Sequence, residues 1–465
     1  MILNILVIGA GGREHAIVRK LNRDAALRED STTRIFAAPG NPGMEEFATL
    51  VPIEVSDVEG LAEFAKRERI DLTIVGPEVP LVAGIADRFA DLGLRVFGPT
   101  QDAAQMESSK AFAKGLMMKC GVPTARYEAF RDFDEAVAYV KEHGAPIVIK
   151  ADGLAAGKGV TVAKTVNEAI DALTAIMLDK EFGDSGDIVV IEQFLVGREL
   201  SVMGFVDANG FALMPGIKDH KPVGDGDEGP NTGGMGTYSP VPYGTPDVIE
   251  KVHTRIFEPV LAELRKQGIV YRGVLFAGLM IVGDDPYVIE FNARFGDPET
   301  QVAMELLQTD LIRIIDAVLE DRVSTLDIKW SDSAAVCVVL ASAGYPGAYR
   351  KGQVISGLQG LDLGAQSMGE PDASSVAKSE FGFRSNSEPI PHRSSQSDSH
   401  TGSHLYALHA GTARNSDGQF VTNGGRVLGV VGSGRTLADA YHIAYLGAGI
   451  VDFEGKFYRT DIGRP

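Results

Sequence analysis

Short apolar, β-rich runs alternate with helical patterns throughout the first hundred residues, and this alternation limits the fold more than any other feature. The run from Ile2 to Ile8 ends in a glycine turn, and an apolar repeat of helical spacing follows it. Further strand-like runs lie at residues 34–38, 72–75 and 94–97. Helical stretches lie at residues 59–68 and 81–92, so the two kinds of segment alternate. Strands that alternate with helices form parallel sheets, so we predict an open parallel α/β sheet over residues 1–103.

The remaining length requires further domains, because 465 residues is about three times the usual size of one. A helical segment at residues 101–120 leads into a mixed α+β pattern, which we assign to a central domain at residues 104–330. A small α+β domain follows at residues 331–465, and it contains a serine-rich insertion at about 366–404 that lacks apolar periodicity. The sequence therefore predicts a multidomain protein of the α/β and α+β classes.

The chain carries 44 Lys and Arg against 63 Asp and Glu, which gives a net charge of −19 at pH 7. Such a charge repels polyanions, so nucleic acid and anionic membranes are not expected partners. No apolar run reaches the roughly 18 residues that a membrane-spanning helix needs. The two cysteines, Cys120 and Cys337, have neither the number nor the spacing of a disulfide framework or a zinc site. We expect a cytoplasmic monomer that acts on small molecules.

The glycine turn after the first strand has the sequence Gly9-Ala-Gly11-Gly12-Arg13-Glu14. Backbone N–H groups at such a turn, together with the helix N-terminus, can hold a phosphate. The turn departs from the dinucleotide-binding pattern, because Glu14 stands where Gly or Ala is needed and its charge would repel a pyrophosphate. A structural turn, a phosphate site and the cofactor site of an NAD-dependent oxidoreductase are the alternatives.

Residues 148–162 form two predicted strands joined by a loop of small residues. Lys150 ends the first strand. Lys158 lies in the loop between two glycines, Gly157 and Gly159. Such a loop can fold over a triphosphate, with backbone donors and lysine charge on the phosphates. A strand rather than a helix follows, which excludes a P-loop, and a flexible hairpin with solvated lysines is the alternative.

A second pair of predicted strands, at residues 188–201, is joined by a short apolar linker. This layout is typical of an adenine slot, in which backbone groups of Gln193 and Leu195 read the edge of the base. Glu199 follows on the next strand and is placed to accept hydrogen bonds from ribose hydroxyls. A solvated surface acid is the alternative for Glu199.

The string from Val288 to Thr300 carries the most specific chemistry of the chain. Glu290 and Asn292 are two apart on a predicted strand, so their side chains share one face. Two oxygen ligands on one face suit Mg²⁺, which keeps water molecules and takes substrate phosphates as further ligands. Arg294 would lie next on that face if the strand continues, where its guanidinium suits a phosphate or carboxylate. A structural Glu–Arg pair at the strand end is the alternative.

The segment at residues 218–236 is too long and too polar for an ordinary connector. Its mixed charge suits a zwitterionic ligand: Asp219 for an amine, and either a lysine or the amides of Gly233 to Gly236 for a carboxylate. The alternative is a disordered segment. His220 is the one histidine of the chain that we would test.

A strand lysine, a glycine–lysine flap, a hinge and a Glu-x-Asn strand, in this order, resemble the ATP-grasp superfamily. The chain is similar nearly end to end to the phosphoribosylamine–glycine ligase family within it. The matching motifs are Gly11-Gly-Arg-Glu-His15, Ala38-Pro-Gly-Asn41, Gly76-Pro-Glu78, Phe97-Gly-Pro99, Lys150 to Val160, Gly229-Pro-Asn-Thr-Gly-Gly-Met-Gly236, Glu290 to Gln301 and Thr422-Asn-Gly-Gly-Arg426.

The resemblance implies a central ATP-grasp domain of two lobes, with a mobile lobe at about 122–195, and a role for each motif. Glu290 and Asn292 would hold Mg²⁺ or Mn²⁺. ATP would be bound by Lys110, Lys150, Gly157, Lys158, Gly159, Glu192, Phe194, Leu195 and Glu199. Arg294 and Lys150 would face the reacting groups. The substrates would be bound by Gly11, Gly12, Arg13, Asp219, Lys221, Gly233 and Gly234, of which the first three would take a sugar phosphate.

The implied reaction is the ligation of glycine to 5-phosphoribosylamine in purine biosynthesis, driven by ATP through an acyl phosphate. Phosphorylation gives the carboxylate a leaving group, and cationic side chains with Mg²⁺ offset the charge as the γ-phosphoryl group moves. The alternatives are an NAD-dependent oxidoreductase, another ATP-grasp carboxylate–amine ligase such as a carboxylating enzyme, and a nucleotide-binding protein without catalysis.

Overall fold

The computed structural model describes residues 2–28, 32–155, 159–361 and 403–464. Gly157 and Lys158 of the predicted flap lie outside the described residues, as does all but the end of the serine-rich insertion.

Five parallel strands form the N-terminal sheet, and they confirm the predicted open α/β architecture. The strands are β1 (Ile2–Gly9), β2 (Thr32–Pro39), β3 (Thr49–Leu50), β4 (Leu72–Val75) and β5 (Val96–Phe97), and their spatial order is β3-β2-β1-β4-β5. The helices between them are α1 (Gly12–Ala25), α2 (Val58–Arg67), α3 (Glu78–Val82) and α4 (Ile85–Asp91). Because both faces of the sheet are covered by helices, its strands are almost continuously apolar.

Two helices predicted as continuous are each broken in the structure. The helical stretch at 81–92 is interrupted at Gly84, whose φ of +81° lies in the left-handed region. The segment at 101–120 forms α5 (Gln101–Ser108) and α6 (Lys110–Cys120), and the backbone of Ser109 is extended between them. The Ser109 hydroxyl accepts a hydrogen bond from Phe112 N–H at 3.1 Å and so caps α6. This break places Lys110 at the first position of α6.

The small lobe is a four-stranded antiparallel sheet with two helices on it. Its elements are β6 (Tyr127–Phe130), α7 (Phe133–His143), β7 (Ile147–Ala151), β8 (Val160–Ala163), α8 (Val166–Leu173) and β9 (Val189–Gln193), with the strand order β6-β9-β7-β8. The apolar faces of both helices pack on the sheet and form a core of their own. The hairpin of β7 and β8 therefore holds its loop on a separate, independently packed sheet.

The large lobe is a second antiparallel sheet, in the order β11-β10-β16-β17, and helices pack on it. Its strands are β10 (Arg198–Val206), β11 (Phe211–Leu213), β16 (Gly273–Val282) and β17 (Asp285–Asn292). Its core includes α5, α6, α9 (Pro246–Val252) and α10 (Glu258–Lys266). Two further helices, α11 (Glu299–Leu306) and α12 (Leu311–Leu319), pack in a core shared with the N-terminal domain. The two lobes are joined by the short linker between β9 and β10, as the sequence predicts for a nucleotide hinge.

The C-terminal sheet draws strands from two separate parts of the chain. Its strands are β12 (Lys218–Asp219), β15 (Gly236–Ser239), β18 (Ala334–Ser342), β19 (His404–His409), β22 (Arg426–Gly434) and β23 (Lys456–Phe457), and α13 (Leu437–Ile450) packs on it. Two small hairpins lie beside it, β13 (Pro222–Gly224) with β14 (Glu228–Asn231) and β20 (Thr412–Arg414) with β21 (Phe420–Thr422). β12 and β15 precede residue 330 yet pair with strands that follow it, so a division there stays a prediction.

A buried ion pair within α1 makes hydrogen bonds that attach the N-terminal domain to the segment at the start of α12. Lys20 and Asp24 lie one turn apart on α1 and pair with each other out of contact with solvent. Asp24 also accepts a hydrogen bond from Leu311 N–H at 2.9 Å, and Lys20 Nζ donates to Thr309 O at 3.1 Å.

Across the part of the chain that the structure covers, no helix is long and apolar enough to cross a membrane.

We predict that Asp24→Ala lowers the free energy of unfolding by about 3 kcal/mol, because it leaves the Lys20 ammonium buried without its carboxylate. Urea unfolding followed by the fluorescence of Trp330, the one tryptophan of the chain, measures this loss. The control is Asp91→Ala at the exposed end of α4, which is expected to change the free energy by less than about 0.5 kcal/mol. Equal effects of the two substitutions would contradict the prediction.

Candidate active site

A cavity of about 460 Å³ lies where the N-terminal domain, the two lobes and the C-terminal domain meet. The cavity brings together most of the predicted site residues, namely Arg13, Lys110, Lys150, Gly159, Glu192, Phe194, Leu195, Glu199, Asp219, Lys221, Gly233, Glu290, Asn292 and Arg294. Gly11, Gly12 and Gly234 do not line it. Residues separated by more than 270 positions in sequence thus share one site.

The cationic side of the cavity is formed by lysines from both lobes. Lys110 Nζ, at the start of α6, donates to the carbonyl oxygens of Asp152 and Gly153 at 3.2 and 3.1 Å. Lys150 Nζ, near the end of β7, donates to Ile289 O of β17 at 3.1 Å. Burial lowers the pKa of Lys110 from its ordinary value. An anionic ligand is therefore favoured here, because it offsets the cost of burying these charges.

Glu192 lies between two lysines and is almost fully buried. Its carboxylate oxygens are 2.8 Å from Lys114 Nζ and 2.7 Å from Lys150 Nζ. Glu192 lines the cavity, and its charge is neutralised by the two lysines. Its predicted contact with the adenosine stays a prediction. Sequence reasoning missed Lys114, although it lies four residues after Lys110 and so on the same face of α6. Burial lowers the pKa of Lys114 to about 8.

The apolar side of the cavity lies at the hinge between the lobes. Phe194 and Leu195 lie in the linker between β9 and β10, and both line the cavity. The remaining apolar wall comes from both lobes, from Met106, Met117, Val148, Val160, Phe276 and Met280. Glu199 on β10 is opposite Met280 on β16, at the edge of this slot. A flat apolar slot with backbone groups at one end suits a heterocyclic base.

Glu290 and Asn292 lie on β17, as predicted, and both line the cavity. The Lys221 ammonium, 3.2 Å from Glu290 Oε1, lowers the pKa of this carboxyl to about 2. The side chain of Glu290 is therefore ionised at neutral pH. Asn292 Oδ1 accepts a hydrogen bond from Arg294 Nη2 at 3.3 Å. A carboxylate and an amide oxygen on one strand face are donors that fit a divalent cation.

Arg294 lies beyond the end of β17, so its position is set by a turn and not by a continuing strand. Its guanidinium is 3.3 Å from Glu78 and 2.9 Å from Glu107, both of which sequence reasoning missed. Glu107 also accepts a hydrogen bond from Ala293 N–H at 2.7 Å, and burial raises its pKa. The structure thus shows Arg294 in ion pairs, and its predicted contact with a reacting group remains a prediction.

The glycine turn of the N-terminal domain is closed by its own glutamate. Glu14 accepts a hydrogen bond from Gly11 N–H at 2.7 Å and pairs with Arg13 Nε at 2.6 Å. Arg13 also donates to Phe295 O at 2.9 Å. The acid at the sixth position therefore occupies the place where a dinucleotide pyrophosphate would bind. Arg13 is the member of this turn that reaches the cavity.

The acidic side of the cavity contains Asp219 of β12. Its Oδ1 atom is buried and accepts no hydrogen bond from any residue that the structure describes. Burial raises the pKa of Asp219 well above its ordinary value, and the neighbouring Glu299 raises it further. Glu299 itself accepts a hydrogen bond from Ser201 Oγ at 3.0 Å. Two buried acids with an unpaired oxygen form a site that favours a cation.

The amides predicted to bind a carboxylate are already bonded within the protein. Gly233 N–H donates to Tyr345 Oη and Gly234 N–H donates to Thr232 Oγ1, each at 3.0 Å. Of the two predicted carboxylate partners the lysine is retained, because the Lys221 ammonium lines the cavity and has donors beyond its pair with Glu290. His220 does not line the cavity, because its ring is buried beside Tyr238.

Comparison with known proteins identifies the family. Models of the N domain, the ATP-grasp (A) domain and the C domain of phosphoribosylglycinamide synthetase match residues 3–107, 108–300 and 385–465. The chain belongs to the phosphoribosylglycinamide synthetase family. It is therefore an ATP-grasp ligase that forms a carbon–nitrogen bond, an activity of purine biosynthesis, and not an oxidoreductase built on the glycine turn.

Full-length relatives support the family assignment. The phosphoribosylamine–glycine ligase of Caldanaerobacter subterraneus subsp. tengcongensis is 44% identical over 460 residues, which is 99% of each chain. That of Halalkalibacterium halodurans is 45% identical and covers 99% of this chain and 96% of its own. The crystal structure of the Thermotoga maritima ligase is 32% identical, with a TM-score of 0.77 over 99% of this chain and 100% of that one.

A more distant structure shows the same fold. The biotin carboxylase domain of the Hydrogenobacter thermophilus 2-oxoglutarate carboxylase has a TM-score of 0.67 at 14% identity, and the match covers 98% of this chain and 91% of that one. That structure contains MgADP and bicarbonate. At this identity the similarity supports the fold alone.

We predict that Asp219→Asn stabilises the protein at alkaline pH, because it removes a buried carboxylate whose oxygen lacks a partner. Because the pKa of Asp219 is higher in the folded state than in the unfolded state, the wild-type protein loses stability as the pH rises through the folded-state pKa. The amide of the variant does not titrate, so the variant does not lose this stability. The melting temperature of the variant is therefore expected to exceed that of the wild type more at pH 9 than at pH 5.

The matched control is Asp207→Asn, since Asp207 is equally buried but accepts hydrogen bonds from the N–H groups of Asn209, Gly210 and Val323. This substitution is expected to destabilise the protein at both pH values. A lower melting temperature of Asp219→Asn at pH 9 would contradict the prediction.

Proposed function

We propose that the chain ligates glycine to 5-phosphoribosylamine and uses ATP to activate the glycine carboxylate. The products are glycinamide ribonucleotide, ADP and phosphate. The observation that carries the proposal is the division of one cavity into a lysine-lined side and an acidic side with an unpaired carboxylate oxygen. An enzyme that phosphorylates an amino acid needs both, because the triphosphate and the ammonium group carry opposite charges.

The nucleotide is proposed to span the lysine side and the hinge. Phe194 and Leu195 receive the adenine in the apolar slot, and Glu199 at its edge accepts from the ribose. Lys110 and Lys150 bind the phosphates. Gly157, Lys158 and Gly159 of the flap are proposed to cover the same phosphates, as the family resemblance implies.

Mg²⁺, for which Mn²⁺ can substitute, is proposed to be held by Glu290 and Asn292. Their donor atoms fit it, since the Glu290 carboxylate is ionised and the Asn292 amide lies on the same strand face. The described part of the chain has no cluster of three or more acidic, histidine or cysteine residues that could hold a metal, so phosphate oxygens and water complete the coordination. When bound, the ion offsets negative charge on the phosphates.

Glycine is proposed to bind on the acidic side, beside the phosphates. Its ammonium group pairs with Asp219, and its carboxylate faces Lys221, which lies two residues further along the chain. Gly233 and Gly234 shape this pocket rather than donate to the ligand, because their amides are bonded elsewhere. The pairing also neutralises the buried acids, so binding of the amino acid relieves an electrostatic cost.

The sugar amine is proposed to enter from the N-terminal domain. Arg13 lies on this side of the cavity and is placed to bind the sugar phosphate, with Gly11 and Gly12 in the turn behind it. Arg294, held by Glu78 and Glu107, lies between this entrance and the metal strand. The enzyme is also proposed to be a monomer and to work in the cytoplasm, a reducing compartment in which its two cysteines stay free.

The two chemical steps need no covalent intermediate on the protein. A carboxylate oxygen of glycine attacks the γ-phosphorus of ATP, and ADP leaves. The amine nitrogen of phosphoribosylamine then attacks the acyl carbon, the C–N bond forms, the C–O bond to the phosphate breaks, and the nitrogen loses a proton to the departing phosphate. Lys150 and Arg294 stabilise the charge on the transferred phosphoryl group in both steps.

The proposed function predicts that ADP release requires ATP, glycine and freshly prepared phosphoribosylamine together. The measurement is ADP release in the complete mixture and in mixtures that omit one component each. Omission of glycine or of the sugar amine is expected to abolish turnover. ADP release that continues at an unchanged rate without glycine would refute the proposed function.

We predict that Glu290→Gln weakens the binding of Mn²⁺ together with ADP at least tenfold, because the substitution removes the charged ligand and keeps the shape of the side chain. Electron paramagnetic resonance of free Mn²⁺ measures the affinity without any turnover. The control is Glu142→Gln on the exposed face of α7, which is expected to leave the affinity unchanged. Unaltered Mn²⁺ affinity of Glu290→Gln would remove Glu290 from the metal site.

A further inference from the structure

The acceptor loop, residues 218–236, is held at Gly233 by two side chains of the C-terminal domain. Gly233 N–H donates to Tyr345 Oη at 3.0 Å, and Arg426 Nη1 donates to Gly233 O at 2.5 Å. Arg426 also donates to Asp297 O at 2.9 Å. One residue of the loop is therefore bonded through both its amide and its carbonyl group to a different domain.

The two side chains belong to one packed unit. The ring of Tyr345 lies against Gly425, where a Cβ atom would overlap it, and Gly425 directly precedes Arg426. Ser342, three residues before Tyr345, donates from Oγ to Gly424 O at 2.9 Å, and its N–H donates to Gly425 O at 2.8 Å. Tyr345 and Arg426 thus have a fixed separation and hold Gly233 between them.

The position of Gly233 decides where the next residue lies relative to Asp219. Gly234 has a φ of +111°, which L side chains rarely adopt, and a Cβ atom there would be 2.7 Å from Asp219 Oδ1. Gly234 therefore lies directly against the unpaired carboxylate. Any shift of the Gly233 peptide changes the space beside the group proposed to bind the ammonium of the amino acid.

The middle of the loop, around Asp225 and Asp227, has its own anchor. Arg459 is buried and lies 2.8 Å from Asp227, while Thr460 N–H donates to Asp225 at 2.7 Å. The β13–β14 hairpin is therefore held independently of Gly233. A change at Tyr345 acts on the Gly233 end alone.

Tyr345 does not line the cavity, whereas Gly233 and Arg426 do. We propose that Tyr345, together with Arg426, is a positioning residue for the amino-acid substrate: it fixes the Gly233 peptide and so the space around Asp219. This inference rests on the proposed function, in which Asp219 binds the ammonium of glycine. It assigns the C-terminal domain a part in recognition of the amino acid, through the Gly233 peptide.

The test is Tyr345→Phe, which removes the hydroxyl and keeps the ring on Gly425. Loss of one hydrogen bond is expected to raise the KM for glycine about fivefold, with the KM for ATP within twofold of the wild-type value. The melting temperature is expected to change by less than about 2 °C, since the ring packing is retained. The control is Tyr349→Phe, because Tyr349 lies four residues away, is exposed, and its hydroxyl bonds to no described residue.

Arg426→Lys removes the hydrogen bond from the guanidinium to Gly233 O and keeps the positive charge. This second variant tests the inference if Tyr345→Phe does not fold. It is also expected to raise the KM for glycine more than the KM for ATP. An unchanged KM for glycine, or equal rises in both KM values, would overturn the inference. A wild-type enzyme that does not use glycine at all would instead overturn the proposed function, and the two failures are thus distinct.

Discussion

Glu192 is the group on which the geometry of the cavity depends. Its buried carboxylate needs both Lys114 and Lys150, because a buried charge without a partner costs several kcal/mol. Lys114 belongs to α6 and Lys150 to the small lobe, and Lys150 Nζ also bonds to Ile289 O, one residue before Glu290. The small-lobe sheet and β17 of the large lobe are therefore held in a fixed relative position by one cluster of three charges.

The charge distribution around this cluster explains how a strongly acidic chain can bind anionic substrates. The net charge of −19 repels phosphates at a distance, so the lysines of the cavity must reverse the field locally. Buried acids lie on the opposite side, and none of the residues that the structure describes donates a hydrogen bond to Asp219 Oδ1 there. One cavity thus has a cationic side and an acidic side, and the proposed function assigns the triphosphate to the first and the ammonium group to the second.

Local patterns made the fold and much of the site predictable from sequence. The parallel sheet, the β7–β8 hairpin and the shared face of Glu290 and Asn292 follow from short-range periodicity, and each is present in the structure. The partners of these residues were not predictable, because contacts such as that of Arg426 with Asp297 join residues 129 positions apart. The bond of the Gly233 amide was missed for the same reason, since Tyr345 is distant in sequence, whereas the Gly234 amide bonds locally to Thr232.

Because β12 pairs with β15, and β15 pairs with β18, the acceptor loop between them is anchored in the C-terminal sheet. The segment that matches the ATP-grasp domain, residues 108–300, contains the loop with β12 and β15 but not the other strands of the same sheet, which are β18, β19, β22 and β23. A chimera that exchanges only this segment between relatives would transplant strands without their neighbours. A chimera that keeps the pairing of β15 with β18 therefore has to exchange the loop and the C-terminal sheet together.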